Sequence, residues 1–171
     1  GTTIPLQVQV TLDTSGRMLL GTDISAVLAI LEGMPIDVIG LNCSTGPDFM
    51  REPIRYLGEN ATLPVSCIPN AGLPLNVDGQ AVYPLTPQPF AEALFEFAQK
   101  NGVRVVGGCC GTTPEHMQAL VEKVKTLSPQ PNHNGAPPRL ASAIQAQLMQ
   151  QVPPPFFIAE RLNTQGSRAF K

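Results

Sequence analysis

The sequence predicts an α/β fold built on a parallel sheet, with four βα units, the number in half of an eightfold barrel. Two observations carry this. Short apolar runs of strand length alternate four times with helix-patterned segments, at intervals of about thirty residues, the length of a βα unit. The residues with chemical potential fall after strands and before helices, the face on which barrels and doubly wound sheets build their sites.

The elements follow in order. Residues 6–12 alternate apolar and polar side chains and read as a strand. A turn cluster at 13–17 leads to Thr22 and Asp23, either of which can cap a helix. Its apolar residues Ile24, Val27, Leu28 and Leu31 fall on one face, and Gly33 ends it. Residues 36–41 form the next strand, with Cys43 just beyond its end. Residues 48–57 are helix-like, and Pro53 predicts a late start or a bend. Residues 63–68 are the third strand, with a loop at 69–74 and a longer loop at 76–85. Thr86 and Pro87 look like the cap and first turn of a helix carrying Phe90, Leu94 and Phe97 on one face. The fourth strand, 103–106, runs into Gly107-Gly108-Cys109-Cys110-Gly111-Thr112-Thr113-Pro114. A last helix then turns Met117, Leu120, Val121, Val124 and Leu127 inward. Residues 128–139 read as a proline-rich linker. Residues 140–149 fit an amphipathic helix or an extended segment equally well. Pro153-Pro154-Pro155 ends that stretch, and Phe156-Phe157-Ile158 reads as a new buried strand. The chain opens inside a strand-like run and closes just after another strand begins, as a piece of a longer protein would.

Composition narrows the function. With 171 residues and 43% hydrophobic content the chain has a one-domain length and enough apolar matter for a core. A net charge of -2, a charged fraction of 14% and the lack of any Lys/Arg run argue against nucleic acid as a partner. No apolar stretch reaches membrane-spanning length, so no membrane partner is expected. The 4 cysteines would suit two disulfides in a small secreted chain. This chain is too core-rich to need them, so a cytoplasmic setting with metal or catalytic cysteines is preferred.

Cys109 and Cys110 lie between glycines at the carboxyl end of a strand, and Cys43 occupies the same position after an earlier strand. Three thiolates from two strand ends make a zinc site with an open fourth position, the mark of a catalytic centre. The competing reading is three buried small hydrophobes, and spacing alone does not choose between them. Cys67, inside a strand, reads as core. His116, in the first turn of the last helix, and His133, in the linker, read as solvated. Asn70 is either a plain turn residue or a neighbour of the zinc.

Three stretches together carry a family resemblance: Gly40-Leu41-Asn42-Cys43 with Thr45-Gly46-Pro47, Pro69-Asn70-Ala71-Gly72-Leu73-Pro74, and the double-cysteine loop at 107–114. In order and spacing they resemble the homocysteine-binding barrel of the zinc-dependent homocysteine S-methyltransferases. The resemblance covers residues 6–127. It implies the C-terminal half of a (β/α)8 TIM barrel at 1–127, with Cys43, Cys109 and Cys110 as zinc ligands. The homocysteine sulfur supplies the fourth ligand, and Asn70 matches an asparagine that can fill that position when substrate is absent. Beyond a linker at 128–155, residues 158–167 resemble the first strand and loop of the methyltetrahydrofolate barrel in the cobalamin-dependent methionine synthase family. That implies a pterin-binding domain beginning at 156–171, with Glu160 and Asn163 at pterin-binding positions. Ala159 departs from the usual glycine. By this resemblance methylcobalamin is the immediate methyl donor and methyltetrahydrofolate the ultimate one. Both would be bound by domains outside this chain, which is therefore not expected to turn over alone. Two rivals remain: a betaine- or sulfonium-dependent homocysteine methyltransferase on the same zinc barrel, and a structural zinc or redox-thiol module on a flavodoxin-like sheet.

Overall fold

The computed structural model describes residues 4–128 and 137–155. The elements are β1 (Gln7–Val10), α1 (Ile24–Leu31), β2 (Val38–Asn42), α2 (Pro47–Asn60), β3 (Val65–Ile68), β4 (Leu75–Val77), β5 (Gln80–Val82), α3 (Pro87–Lys100), β6 (Val103–Val106), α4 (Pro114–Val124), β7 (Arg139–Ala141) and β8 (Ala146–Leu148). Four strands form one parallel sheet in the order β1-β2-β3-β6, while β4-β5 and β7-β8 are separate antiparallel pairs.

Strand order therefore follows chain order, as along the arc of a barrel, without the reversal that marks a flavodoxin-like sheet. The two faces of the sheet differ. Ile39 and Leu41 of β2, Val65 and Cys67 of β3, and Val103 of β6 join a single buried cluster with residues from all four helices described. Gly40 and Ser66, between them on β2 and β3, face the other way. There the Nε2 amides of Gln7 and Gln9 both donate to Ser66 Oγ, at 3.2 and 2.8 Å. Gly40 makes room for this layer, because a Cβ there would lie 2.5 Å from the Ser66 carbonyl oxygen.

Two sequence expectations change, and one that was open between two alternatives is resolved. The helix containing Pro53 runs unbroken over Pro47–Asn60. The lost backbone bond and ring crowding cost about 3 kcal/mol in an ordinary helix interior. Burial of Met50, Ile54 and Leu57, at roughly 1.5–3 kcal/mol each, outweighs it. The expected long loop at 76–85 instead contains a hairpin whose turn, Asp78-Gly79, has φ of 52° and 81°. An Asp-Gly pair between alternating strands is a type I′ hairpin signal. Residues 140–149 are extended, and this second hairpin docks on the helices through Thr22 Oγ1 to the Ala143 carbonyl at 2.6 Å and the Arg139 guanidinium over the Tyr56 ring. The expected strand at 156–158 lies outside the described residues, and no helix described is long and apolar enough to cross a membrane.

The helices pack closely enough to require glycine at Gly58, where a Cβ would sit 2.4 Å from the Asn101 carbonyl oxygen. Gly58→Ala gains about 1 kcal/mol of helix propensity. It is nevertheless expected to destabilise by roughly 1–3 kcal/mol, because α3 must be pushed away. A urea unfolding midpoint unchanged or raised by this substitution would show that the contact relaxes freely.

Candidate metal centre

Three loops meet at the carboxyl end of the sheet, and backbone bonds stitch them together. Beyond β2, Cys43 N–H donates to the Ile68 carbonyl at 3.0 Å and Thr45 N–H to the Cys43 carbonyl at 2.7 Å. Beyond β3, Asn70 N–H reaches the Thr45 carbonyl at 3.1 Å, and Ala71 N–H reaches the Cys110 carbonyl at 2.9 Å. Beyond β6, Cys109 N–H donates to the Pro69 carbonyl at 2.9 Å. Gly46 permits the closest approach, since a Cβ on it would lie 2.6 Å from the Gly72 Cα.

This stitching holds Cys43 and Ser44 at φ of 60° and 63°. Non-glycine residues adopt that region at a cost of about 1–3 kcal/mol each, and such strain collects where a side chain must be aimed. It aims the Cys43 sulfur at the double cysteine. Cys43 Sγ lies 3.8 Å from Cys110 Sγ, and Cys110 Sγ lies 3.9 Å from Cys109 Sγ. All three sulfurs fall within 4.8 Å of one another. Sulfurs at about 2.3 Å from a tetrahedral zinc stand roughly 3.8 Å apart, so the donor set and its spacing both fit that ion. Cys67 stays apart from the group. It is buried in the core with Sγ 3.8 Å from Met50 Sδ, and burial pushes its thiol well above the ordinary range.

Asn70 belongs to the cluster, although its position in a turn did not settle this from sequence. It is 2% exposed, and its Oδ1 accepts the Cys110 N–H at 3.1 Å. Its side chain also helps to hold the Cys43 thiol pKa down. His116 is not solvated as expected but buried at 6% exposure. Its Nε2 lies 2.8 Å from the Leu85 carbonyl, which can only accept, so Nε2 carries the hydrogen and Nδ1 accepts the Thr113 N–H at 3.2 Å. The imidazole thus takes the place of the Glu or Gln of a capping box. It also ties the start of α4 to the segment after the first hairpin. Tyr83, which sequence reasoning passed over, lies on that segment with its ring against Gly111. Desolvation, followed by hydrogen bonding to the Cys110 side chain, raises its phenol pKa. The signal that leads to it was the Asp78-Gly79 turn, which fixes where the chain comes back. Glu160, Asn163 and His133 lie outside the described residues.

The three sulfurs are not equivalent. The Ser44 backbone N–H, aided by the Cys109, Cys110 and Asn70 side chains, holds the Cys43 thiol below the usual range against the opposing effect of burial. Burial and the adjoining Cys43 and Cys110 sulfurs push Cys109 up to about 11. Thiolate is the reactive form. In metal-free protein near pH 8, iodoacetamide is therefore expected to modify Cys43 well before Cys109, and to spare Cys67. The lead of Cys43 should shrink as pH rises toward 11, and peptide mass mapping over time reads the order directly.

A family model described as Homocysteine S-methyltransferase matches residues 2–124. The chain is 43% identical over 176 residues to the methionine synthase of Mycobacterium leprae and 42% identical over 171 residues to that of Mycobacterium tuberculosis. Each alignment takes in 100% of this chain but only 15% and 14% of the relative. With the family model spanning most of the chain, including all three clustered cysteines, the chain belongs to the homocysteine S-methyltransferase family, a family of methyltransferases.

Proposed function

We propose that this chain carries the zinc-binding, homocysteine-activating part of a cobalamin-dependent methionine synthase. The observation that carries this reading is the convergence of three sulfurs from two strand ends, spaced as a tetrahedral zinc requires and exposed on the Cys110 side. Cys43, Cys109 and Cys110 would hold the ion. Zinc, when bound, lowers the pKa of an incoming thiol and leaves it nucleophilic, because three electron-rich thiolates blunt the charge of the ion.

The chain's own residues do the rest. The strained loop after β2 holds Cys43 in place before any ion or substrate arrives. Asn70 Oδ1 braces the Cys110 backbone N–H, and by the family resemblance the Asn70 side chain would fill the fourth position until the homocysteine sulfur takes it. The reaction is displacement at a methyl carbon by that sulfur, giving methionine: the sulfur–carbon bond forms as the donor–methyl bond breaks, the donor keeps that electron pair, and the thiol proton goes to solvent. Methylcobalamin is the proposed immediate donor and methyltetrahydrofolate the ultimate one. Within this reading residues 1–127 are the C-terminal half of a (β/α)8 barrel and 128–155 the linker. Residues 156–171 open the pterin-binding domain, with Glu160 and Asn163 toward the pterin, and the protein works in the cytoplasm, where free thiols persist. The alignment of both methionine synthases through the last residues of the chain supports that assignment over a donor such as betaine.

Zinc content and X-ray absorption, measured before and after adding homocysteine, test the proposal. Three sulfurs and one nitrogen or oxygen becoming four sulfurs is the expected result. Four sulfurs from the start would identify a structural site, and a full-length protein that binds no zinc would refute the reading.

A further inference from the structure

Both cysteines of the loop after β6 are bonded to residues 69–71. Cys109 N–H donates to the Pro69 carbonyl at 2.9 Å, Cys110 N–H donates to Asn70 Oδ1 at 3.1 Å, and the Cys110 carbonyl accepts from Ala71 N–H at 2.9 Å. From Ala71 the bonds run on in a circuit that returns to the cysteines. The Ala71 carbonyl accepts Leu85 N–H at 3.0 Å, the Leu85 carbonyl accepts His116 Nε2–H at 2.8 Å, and His116 Nδ1 accepts Thr113 N–H at 3.2 Å. Thr113 leads back along the backbone to Cys110.

Every link of this circuit is backbone except the imidazole. A backbone bond outlasts most substitutions, whereas the link between Leu85 and Thr113 exists only if residue 116 offers a donor to one and an acceptor to the other. The ring is held to that task. It is buried, Phe90 covers it edge to face, and Thr113 Oγ1 closes on Nδ1 at 3.0 Å. Thr112 does not duplicate the link, because its N–H and its hydroxyl both turn back to the Cys109 carbonyl, at 3.2 and 2.7 Å.

We propose that His116 is a positioning residue for the metal centre: by joining Leu85 to Thr113 it closes the circuit that fixes the double cysteine against residues 69–71. The proposal rests on reading the three cysteines as metal ligands. A tetrahedral zinc needs its sulfurs roughly 3.8 Å apart, and Cys110 Sγ meets that spacing toward Cys43 and Cys109 at 3.8 and 3.9 Å. With the circuit open, the Cys109–Cys110 loop has a wider range of positions. The sulfurs must then be ordered as the ion binds, and that ordering cost lowers the affinity. Partners one step out from a metal commonly account for about 10–100-fold in affinity. His116 acts a further step out, which places it at the low end.

The test uses the protein in its natural full-length form and three substitutions. His116→Asn keeps an acceptor where Nδ1 stood but is too short to reach Leu85, so the helix cap survives and the circuit opens. His116→Gln carries a donor and an acceptor and is a side chain that ordinary capping boxes use at this position. Leu57→Ala empties a buried site in α2 and touches no bond of the circuit, so it lowers the urea midpoint without opening the loop. Zinc affinity is read by chelator competition, and ligand geometry by the visible bands of the cobalt(II)-substituted protein. His116→Asn is expected to lose about 10-fold in zinc affinity and to shift the cobalt bands, while His116→Gln stays near the wild type. Leu57→Ala, measured well below its unfolding midpoint, should bind zinc as the wild type does, with unmoved bands. Wild-type affinity and bands in His116→Asn, or a Leu57→Ala protein weakened as much as His116→Asn, would reduce His116 to a part of the core and overturn the proposal. If the unsubstituted protein shows no sulfur-to-metal charge-transfer band with cobalt(II), the metal-site reading itself falls and takes the proposal with it.

Discussion

Replacing Cys110 or Cys43 with serine is expected to lower zinc affinity by roughly two to three powers of ten and to reduce methyl transfer at least in proportion. Apparent zinc-binding free energies in small structural sites are about 10–16 kcal/mol. Spread over four ligands, that is about 2.5–4 kcal/mol apiece, or some 10²–10³-fold in affinity. A serine hydroxyl does not ionise near neutral pH, so the whole contribution of one ligand is lost. The fold should not suffer comparably. Cys110 is exposed and Cys43 only partly covered, so neither contributes much to the buried core. Cys67→Ser gives the opposite pattern. It places a hydroxyl in a fully buried site beside Met50, costing about 1–3 kcal/mol of stability while leaving zinc affinity unchanged. Metal content after dialysis against a graded chelator, together with urea midpoints for the three variants, separates ligands from core. A Cys110→Ser protein that retains stoichiometric zinc at the wild-type affinity would remove Cys110 from the centre.

What the sequence made legible follows from which interactions are local. The alternating run at Gln7–Val10, the one-sided apolar spacing in α1, and the proline at the first turn of α3 and α4 are all set within a few residues, and the elements appear there. The three cysteines were legible as candidates because each follows a strand or shares a glycine-rich loop with one that does. Their convergence was not, since it depends on bonds such as Ala71 N–H to the Cys110 carbonyl that join loops forty residues apart in sequence. Pro53 misled because local backbone cost was weighed without the burial that outweighs it. His116 misled because capping positions are usually wet. Here Phe90 and the Leu85 carbonyl cover it. The hairpin at 75–82 was a missed local signal, since Asp78-Gly79 stood in plain view between two short strands.

Phe90→Ala is expected to destabilise the protein by about 3–5 kcal/mol, a large share of the roughly 5–15 kcal/mol that holds an ordinary domain together. Phe90 is fully buried in α3, and its ring meets the His116 imidazole edge to face, with centroids 5.4 Å apart and planes at 88°. Truncation leaves a cavity under α4 and forfeits the ring contact, itself worth about 0.5–1.5 kcal/mol beyond the area buried. The consequence reaches the cysteines through one side chain. His116 holds the Leu85 carbonyl and the Thr113 N–H together, and those two points flank the segment bearing Tyr83 and the loop bearing Cys109 and Cys110. An imidazole free to shift into the cavity gives up one of these bonds, so the loops should loosen and zinc should bind more weakly even where the protein is still folded. Phe90→Leu refills most of the space and should cost much less stability, with affinity nearly retained. Zinc affinity measured for both variants well below their unfolding midpoints decides the matter. A weakened Phe90→Ala centre beside a normal Phe90→Leu centre would show that core packing under α4 sets the geometry of the thiols. Equal affinity in both would mean that backbone bonds among the three loops hold the sulfurs without help from the core.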